Sequence, residues 1–437
     1  MHNINNNVET VEIKIPYDTE IFGENINFNP SIVLIDTDTF LMSFFTFRRH
    51  KEGHPKHIQP QPSIYDDYHM YKGGINSDTW WDDSHGGYRG TGYLILKIIN
   101  REVIIHQILD DLGLGYDARL TQTPKGILLT QSGEYFENFD EIWGIDRVKN
   151  GLAKRTCKEN CDGVYYLFLS IYHDKYIDTY KLSENANWYG EPMCPKLQDQ
   201  DKNWSPFIKN KNIYVSNWLT PKHTVVIEKY CKIIKEPNFN IFYISQLFYN
   251  NTLSFRLGTP AIKFNNNEMI AVGHVRFFGD FIPVDSKAYS FYKENILPKH
   301  PYHNLMYMMF IYTFDINTFE ILRVSPAFYP PNIMHSVVFP VGLTYHDDDY
   351  VISYGEGDIK MKLLFMKSET INDLLYDQND IDHEYEFIYL GKINKRIKLA
   401  NKNSKKSTND CCSHLMKPHT KLSILYCEHG CGHKINL

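Results

Sequence analysis

Several things are missing from this chain of 437 residues, and each absence removes a class of protein. No apolar run approaches the ~20 residues of a membrane span. The start, MHNINNNVETVEIKIPYDTE, has no apolar core of the kind a secretory leader needs, so a cytoplasmic protein is expected. Positive charge is not in excess: 46 Lys and Arg stand against 52 Asp and Glu, which gives no basic footprint for nucleic acid. Helical periodicity is scarce, and only short helices are expected, around Pro221 to Lys235 and Glu369 to Tyr376. Cysteine is limited to eight residues, and without a leader these read as reduced thiols or metal ligands rather than disulfides.

What is present is apolar and aromatic. The chain is 43% hydrophobic, enough for a large core, and 14% aromatic, with 31 Tyr and 26 Phe. That composition leans toward β structure. It would suit stacking against sugar rings, and a tyrosine-rich sheet core explains it as well.

One pattern returns five times: a small polar or Pro start, a short apolar strand, a polar tip, and another apolar strand. The first copy follows Asn29-Pro30 and turns at Asp36 to Thr39. The second runs from Tyr116-Asp117-Ala118-Arg119 and turns at Pro124-Lys125-Gly126. The third begins at Lys202-Asn203-Trp204 and turns at Lys209 to Asn212, and the fourth begins at Gly258-Thr259-Pro260 and turns at Asn265 to Asn267. The fifth, from Val338, turns at His346-Asp347-Asp348-Asp349. These starts lie further apart than the ~40–45 residues of a minimal propeller blade, and long insertions account for the excess. Regular strand spacing of this kind predicts a propeller, with a β-sandwich as the alternative.

The insertions at 51–90 and 133–201 are long, wet and rich in Trp, which suits the walls of a cleft. Residues 400–408 read as a linker. Beyond it, Cys411, Cys412, His414, His419, Cys427, His429, Cys431 and His433 fall within a short span. Such density suits tetrahedral zinc, with Cys412, Cys427 and Cys431 as ligands. The spacing matches no standard finger, and an unstructured tail is the alternative.

The chemistry gathers at two strand ends. Tyr354-Gly355-Glu356-Gly357-Asp358 leaves two carboxylates at the mouth of a sheet, which is costly unless they find a partner or a ligand. Asp117 and Arg119, two apart on a strand, share one face. A guanidinium favours the charged form of a carboxylate and burial the neutral form, and a general acid needs the neutral form. A structural ion pair is the plainer reading of the two.

On these residues the chain resembles the five-bladed β-propellers of glycoside hydrolase family 130, the mannoside phosphorylases, and the related β-1,2-mannosyltransferases. The resemblance runs over about residues 25 to 370 and rests on Asn29-Pro30 with Arg48, on Asp117-Ala118-Arg119, on Lys202-Asn203, and on Tyr354-Gly355-Glu356-Gly357-Asp358. It departs from the family at Tyr116 and Ala118, where the family has Glu and Pro, and no His-Arg follows the third copy. What it implies is an all-β protein: an N-terminal extension at 1–24, a five-bladed propeller with long loop insertions at 25–399, and a linker with a Cys/His-rich tail at 400–437. It implies an enzyme acting on a β-linked hexose, mannose in the family, with inversion and without a catalytic cofactor. The substrate would be an oligosaccharide or glycoside, with inorganic phosphate as co-substrate if the reaction is phosphorolysis. Asp117 would be the general acid. Asn29, Arg48, Arg119, Asn203 and Asp358 would hold the sugar, and Glu356 would stand beside them as the base if water attacks. Lys202 and His274 would face the attacking group. The competing reading is a glycan-binding or scaffold propeller without catalysis.

Overall fold

The computed structural model describes residues 7–16, 22–50, 87–109, 116–133, 163–182, 203–219, 224–227, 232–235, 253–278, 287–296, 305–377, 387–390, 416–419, 424–427 and 434–436. These are mostly strands in small antiparallel sheets. Helix is confined, among the described residues, to Lys287–Phe291 with its continuation Tyr292–Ile296 and to Ser368–Leu374. No helix among them is long and apolar enough to cross a membrane.

All five expected hairpins form, at the expected tips. Sheet I pairs Phe22–Asp36 with Thr39–His50 and adds Gly87–Ile99 and Glu102–Leu109. Sheet II holds Tyr116–Thr123, Gly126–Gly133 and Gly163–Leu169. Sheet III is Ser205–Lys209, Asn212–Trp218, Thr224–Ile227 and Lys232–Lys235. Sheet IV is the largest, built around the long pair Glu268–Phe278 and Leu305–Asp315. Sheet V runs Val8–Ile13, Lys360–Lys367, Asp349–Glu356, Val338–His346. The tips explain the registers. Asn100–Arg101, Asn210–Lys211 and Asp347–Asp348 each carry two consecutive positive φ angles. That is the type I′ turn, whose twist matches that of the paired strands.

The N-terminal segment supplies the edge strand of sheet V: Val8–Ile13 pairs in register from Val8 opposite Met366 to Ile13 opposite Met361. One expectation is corrected. Within the stretch expected as helix around Pro221 to Lys235, the described residues are instead two short strands, because TVVI and KIIK are β-branched runs that fit a pleated surface. The short helix expected after Glu369 is present as Ser368–Leu374. The tail forms a small sheet of Met416–His419, Ile424–Cys427 and Lys434–Asn436. Cys412, Cys431 and the Cys427 side chain lie outside the described residues, as do 51–86 of the first long insertion and 134–162 and 183–201 of the second.

Alternation along the strands leaves apolar faces, and neighbouring sheets share them. Phe40, Leu94, Val351 and Leu363 bury the space between sheets I and V. Val33, Leu41, Leu120 and Leu129 fill that between I and II. Phe207, Met309, Phe310, Tyr312 and Tyr354 belong to a larger cluster spanning III, IV and V.

Polar contacts at the strand starts follow the same order and return to the beginning. The Leu120 N–H donates to Ser31 Oγ at 2.9 Å, joining I to II. Arg119 reaches Asn203 Oδ1 at 3.4 Å, joining II to III. The Ala261 N–H donates to Pro206 O at 3.0 Å, joining III to IV. His274 meets the edge of Phe339, ring centres 4.9 Å apart, joining IV to V. Ser353 Oγ donates to Pro30 O at 2.7 Å, joining V back to I.

Candidate active site

Those joints converge on a group of polar residues with unusual backbone. Asn29, Asp117 and Asp358 have φ of 49°, 54° and 54°, the left-handed region. Asn and Asp enter that region more readily than other side-chain-bearing residues. Asn29 and Asp117 each sit where the register slips, between Phe28 and Ser31 and between Tyr116 and Arg119. A bulge of this kind turns a side chain away from the alternation of its strand, and bulges gather next to active sites.

The bulges aim the two side chains at each other. Asn29 Nδ2 donates to Asp117 Oδ1 at 2.7 Å. Gly355 of sheet V packs directly against Asn29, so close that a Cβ there would lie 2.9 Å from the Asn29 backbone nitrogen and closer still to its side-chain oxygen. Gly355→Ala should therefore dislodge Asn29 from Asp117. Overpacking of this type costs about 1–3 kcal/mol, and the expected lowering of the melting temperature is the measurement.

Arg119 forms wall rather than surface. It is buried, and its guanidinium donates to Gly258 O at 2.5 Å, to the Asp117 backbone O at 2.7 Å and to Asn203 Oδ1 at 3.4 Å. It also lies over the Phe339 ring. Its fixed fork ties sheets II, III and IV and holds the Asp117 backbone in its bulge.

Glu356 is also committed. It is fully buried, with Oε2 at 2.5 Å from Lys362 Nζ. Its Oε1 accepts the Met334 and His335 N–H groups at 2.5 and 3.0 Å. Asp358, two residues on, is partly exposed.

His274 lies buried, stacked on Tyr307 with ring centres 5.0 Å apart. Its Nδ1 is 2.8 Å from Leu257 O, which can only accept, so Nδ1 carries the hydrogen and Nε2 the lone pair. Burial holds the imidazole well below its usual range, and Arg256, Arg119 and Arg276 push the same way against the Leu257 bond. It is neutral at pH 7.

Tyr307 collects the rest. Burial raises its phenol, Arg276 and Arg256 pull it down, and Asp358 and Asp117 push it up. The phenol thus lies in the opposing fields of two carboxylates and two guanidiniums. Cross-strand pairing brings these groups together: Arg256 is opposite His274, and Arg276 is opposite Tyr307.

Of the residues expected from sequence, Asn29, Asp117, Arg119 and Asn203 are joined by hydrogen bonds, His274 and Arg119 both pack on Phe339, and Glu356 and Asp358 follow Gly355, which packs on Asn29. The Arg48 side chain and Lys202 lie outside the described residues. Tyr307, Arg256 and Arg276 were missed. Arg276 was legible, since it is two residues from His274 and shares its face.

No family model matches the chain, and no curated protein does. Solved structures do. A β-1,2-mannobiose phosphorylase from Listeria innocua is 12% identical, covering 84% of this chain and 98% of that one, with a TM-score of 0.43. A glycosyl hydrolase from Bacteroides ovatus is 10% identical, covering 80% and 86%, with a TM-score of 0.41. A GDP-Man-dependent mannosyltransferase from Leishmania mexicana is 10% identical, covering 82% and 90%, with a TM-score of 0.38. With identities this low, the chemistry has to be read from this chain's own residues.

Proposed function

We propose that the chain is a five-bladed β-propeller whose central pocket cleaves or forms a β-linked hexoside, mannoside by its resemblance, with inversion. The observation that carries this is the 2.7 Å bond from Asn29 Nδ2 to Asp117 Oδ1, made where Gly355 of sheet V packs against Asn29. Sheets I to V would be the blades, with Val8–Ile13 closing the last onto the first strand of the chain. The propeller would span residues 8–399, followed by the tail.

Asp117 is the general acid. Asn29 donates to its Oδ1, which leaves Oδ2 to carry the proton toward the glycosidic oxygen. In the synthetic direction the same oxygen takes a proton from the acceptor hydroxyl. Asp358 and Asn29 hold the sugar. Arg119 and Asn203 act by positioning Asp117 rather than by touching substrate.

The attacking group is an anion of the phosphate type. Water would need a base carboxylate ~6.5–9.5 Å from the acid. Glu356, the carboxylate nearest Asp358 in sequence, has both oxygens engaged. Phosphate needs no base, and Arg256 and Arg276 beside a neutral His274 offer it charge. Carbohydrate chemistry of this kind calls for no cofactor.

The test is incubation of the protein with a panel of β-mannosides and other β-hexosides, with and without phosphate, following released sugar and sugar phosphate. Sugar 1-phosphate formed only with phosphate is the expected result. Free sugar regardless of phosphate would overturn phosphorolysis, and binding without turnover would overturn catalysis.

A further inference from the structure

Away from the pocket, at the outer tips of sheets I and V, four donors from three chain segments face one another. His346 ends a strand of sheet V and Asp347 begins its tip, Asp38 sits on the first tip of sheet I, and Ile98 is next to last in the third strand of that sheet. His346 Nε2 lies 3.5 Å from Asp38 Oδ1, 3.2 Å from Asp347 Oδ2 and 3.3 Å from Ile98 O. The three side-chain donors all fall within 4.8 Å of one another.

The Ile98 contact is a long hydrogen bond and the two carboxylate contacts are longer than direct pairing gives. An imidazolium donating to a carboxylate comes to ~2.7–2.9 Å. Here three oxygens surround one nitrogen, none that close. The distances suit a shared ion. With metal–nitrogen bonds of ~2.0–2.1 Å and metal–oxygen bonds of ~2.0–2.2 Å, the edges of a tetrahedron come to roughly 3.3–3.5 Å.

The surroundings are built for it. The His346 side chain is 8% exposed, its ring fixed by the edge of Phe40. The Ile98 N–H donates to Asp38 O at 3.0 Å, which ties two of the donor segments together. The carboxylates are 46% and 65% exposed, leaving an open path. A cavity of about 190 Å³ adjoins the group, lined by Ile98, His346 and Asp347 along with Arg101 and Lys367. Arg101 is paired with Asp349 through two bonds of 2.8 Å and lies 3.6 Å from Glu9, while Lys367 lies 3.5 Å from Asp349 and donates to Asp347 O at 3.2 Å.

We propose that His346, Asp38, Asp347 and the Ile98 carbonyl form a tetrahedral site for a divalent transition-metal ion of the zinc class. An imidazole ligand disfavours calcium and magnesium, which take oxygen only. The ion clasps sheet V to sheet I, the joint where the last strands of the fold meet the first. It lies apart from the sugar pocket and does not depend on the reading of that pocket.

Cobalt(II) is the probe, titrated into the full-length protein and into Asp38→Asn/Asp347→Asn. The parent should develop the strong visible absorption of four-coordinate cobalt and bind one equivalent more than the variant. Cobalt held by the cysteine-rich tail would be recognised by its near-ultraviolet thiolate band and would be equal in the two proteins. Zinc should raise the melting temperature of the parent more than that of the variant. Asp347→Asn alone, on an exposed tip, serves if the double variant does not fold. Equal stoichiometry and equal visible spectra in parent and variant would overturn the site.

Discussion

Asp117→Asn is expected to lower turnover about 10²–10⁴-fold, the usual loss when general acid–base catalysis is removed. The substitution is chosen to disturb nothing else. Asn keeps an oxygen to accept from Asn29 Nδ2, a bond of 2.7 Å in the parent. It also tolerates the φ of 54° at this position as well as Asp does. The Arg119 bond to the residue 117 backbone oxygen does not involve the side chain and stays. Only the ionisable oxygen is gone, so sugar affinity should stay within a few-fold of the parent. Asp358→Asn should differ, weakening sugar binding together with turnover. Turnover of the glycoside found in the panel, with sugar affinity by calorimetry, separates the two. Near-normal turnover in Asp117→Asn would remove Asp117 from the role of acid.

How much of this could be read in the sequence depends on range. The five hairpins were legible because each is local: a period of two in apolar residues, then Asp, Asn, Gly or Pro where a tight turn needs them. The edge strand Val8–Ile13 was not, since its partner Lys360–Lys367 lies at the other end of the chain and nothing local names it. Asn29, Asp117 and Asp358 stood out as polar residues at strand ends. Their shared left-handed backbone, set by bulges at Asn29 and Asp117 and by a turn at Asp358, is nothing that composition reveals. Tyr307 and Arg256 were hidden for another reason. Each matters through a cross-strand partner, Arg276 for one and His274 for the other, and register cannot be read from one strand alone.

Glu356 illustrates the same limit in the opposite direction. In the sequence it is a carboxylate beside Asp358, available as a base. In the structure it is an anchor. Lys362 comes from the adjacent strand of sheet V to within 2.5 Å, and the side chains are 6% and 0% exposed. The same carboxylate accepts two backbone N–H groups, from Met334 and His335. It therefore fixes the segment before Val338 against the end of the strand that leads to Asp358.

Lys362→Met should be among the most destabilising single changes in the chain, by about 3–5 kcal/mol. Met fills much of the lysine volume, so the loss reports the charge left behind rather than a cavity. Glu356→Gln in the same background should restore part of that loss, since a neutral amide oxygen can still accept both N–H groups. Equilibrium urea unfolding of the parent, the single variants and the double variant measures the coupling. Glu356→Gln on its own also settles the chemistry, because an anchor and a base respond differently. If Glu356 only anchors, the variant loses stability and its folded fraction turns over normally. A folded, stable Glu356→Gln with turnover lowered by orders of magnitude would return Glu356 to the role of base and favour water over phosphate. A loss below about 1 kcal/mol in Lys362→Met, in the range of an exposed pair, would mean that the buried pair does not hold the strand end.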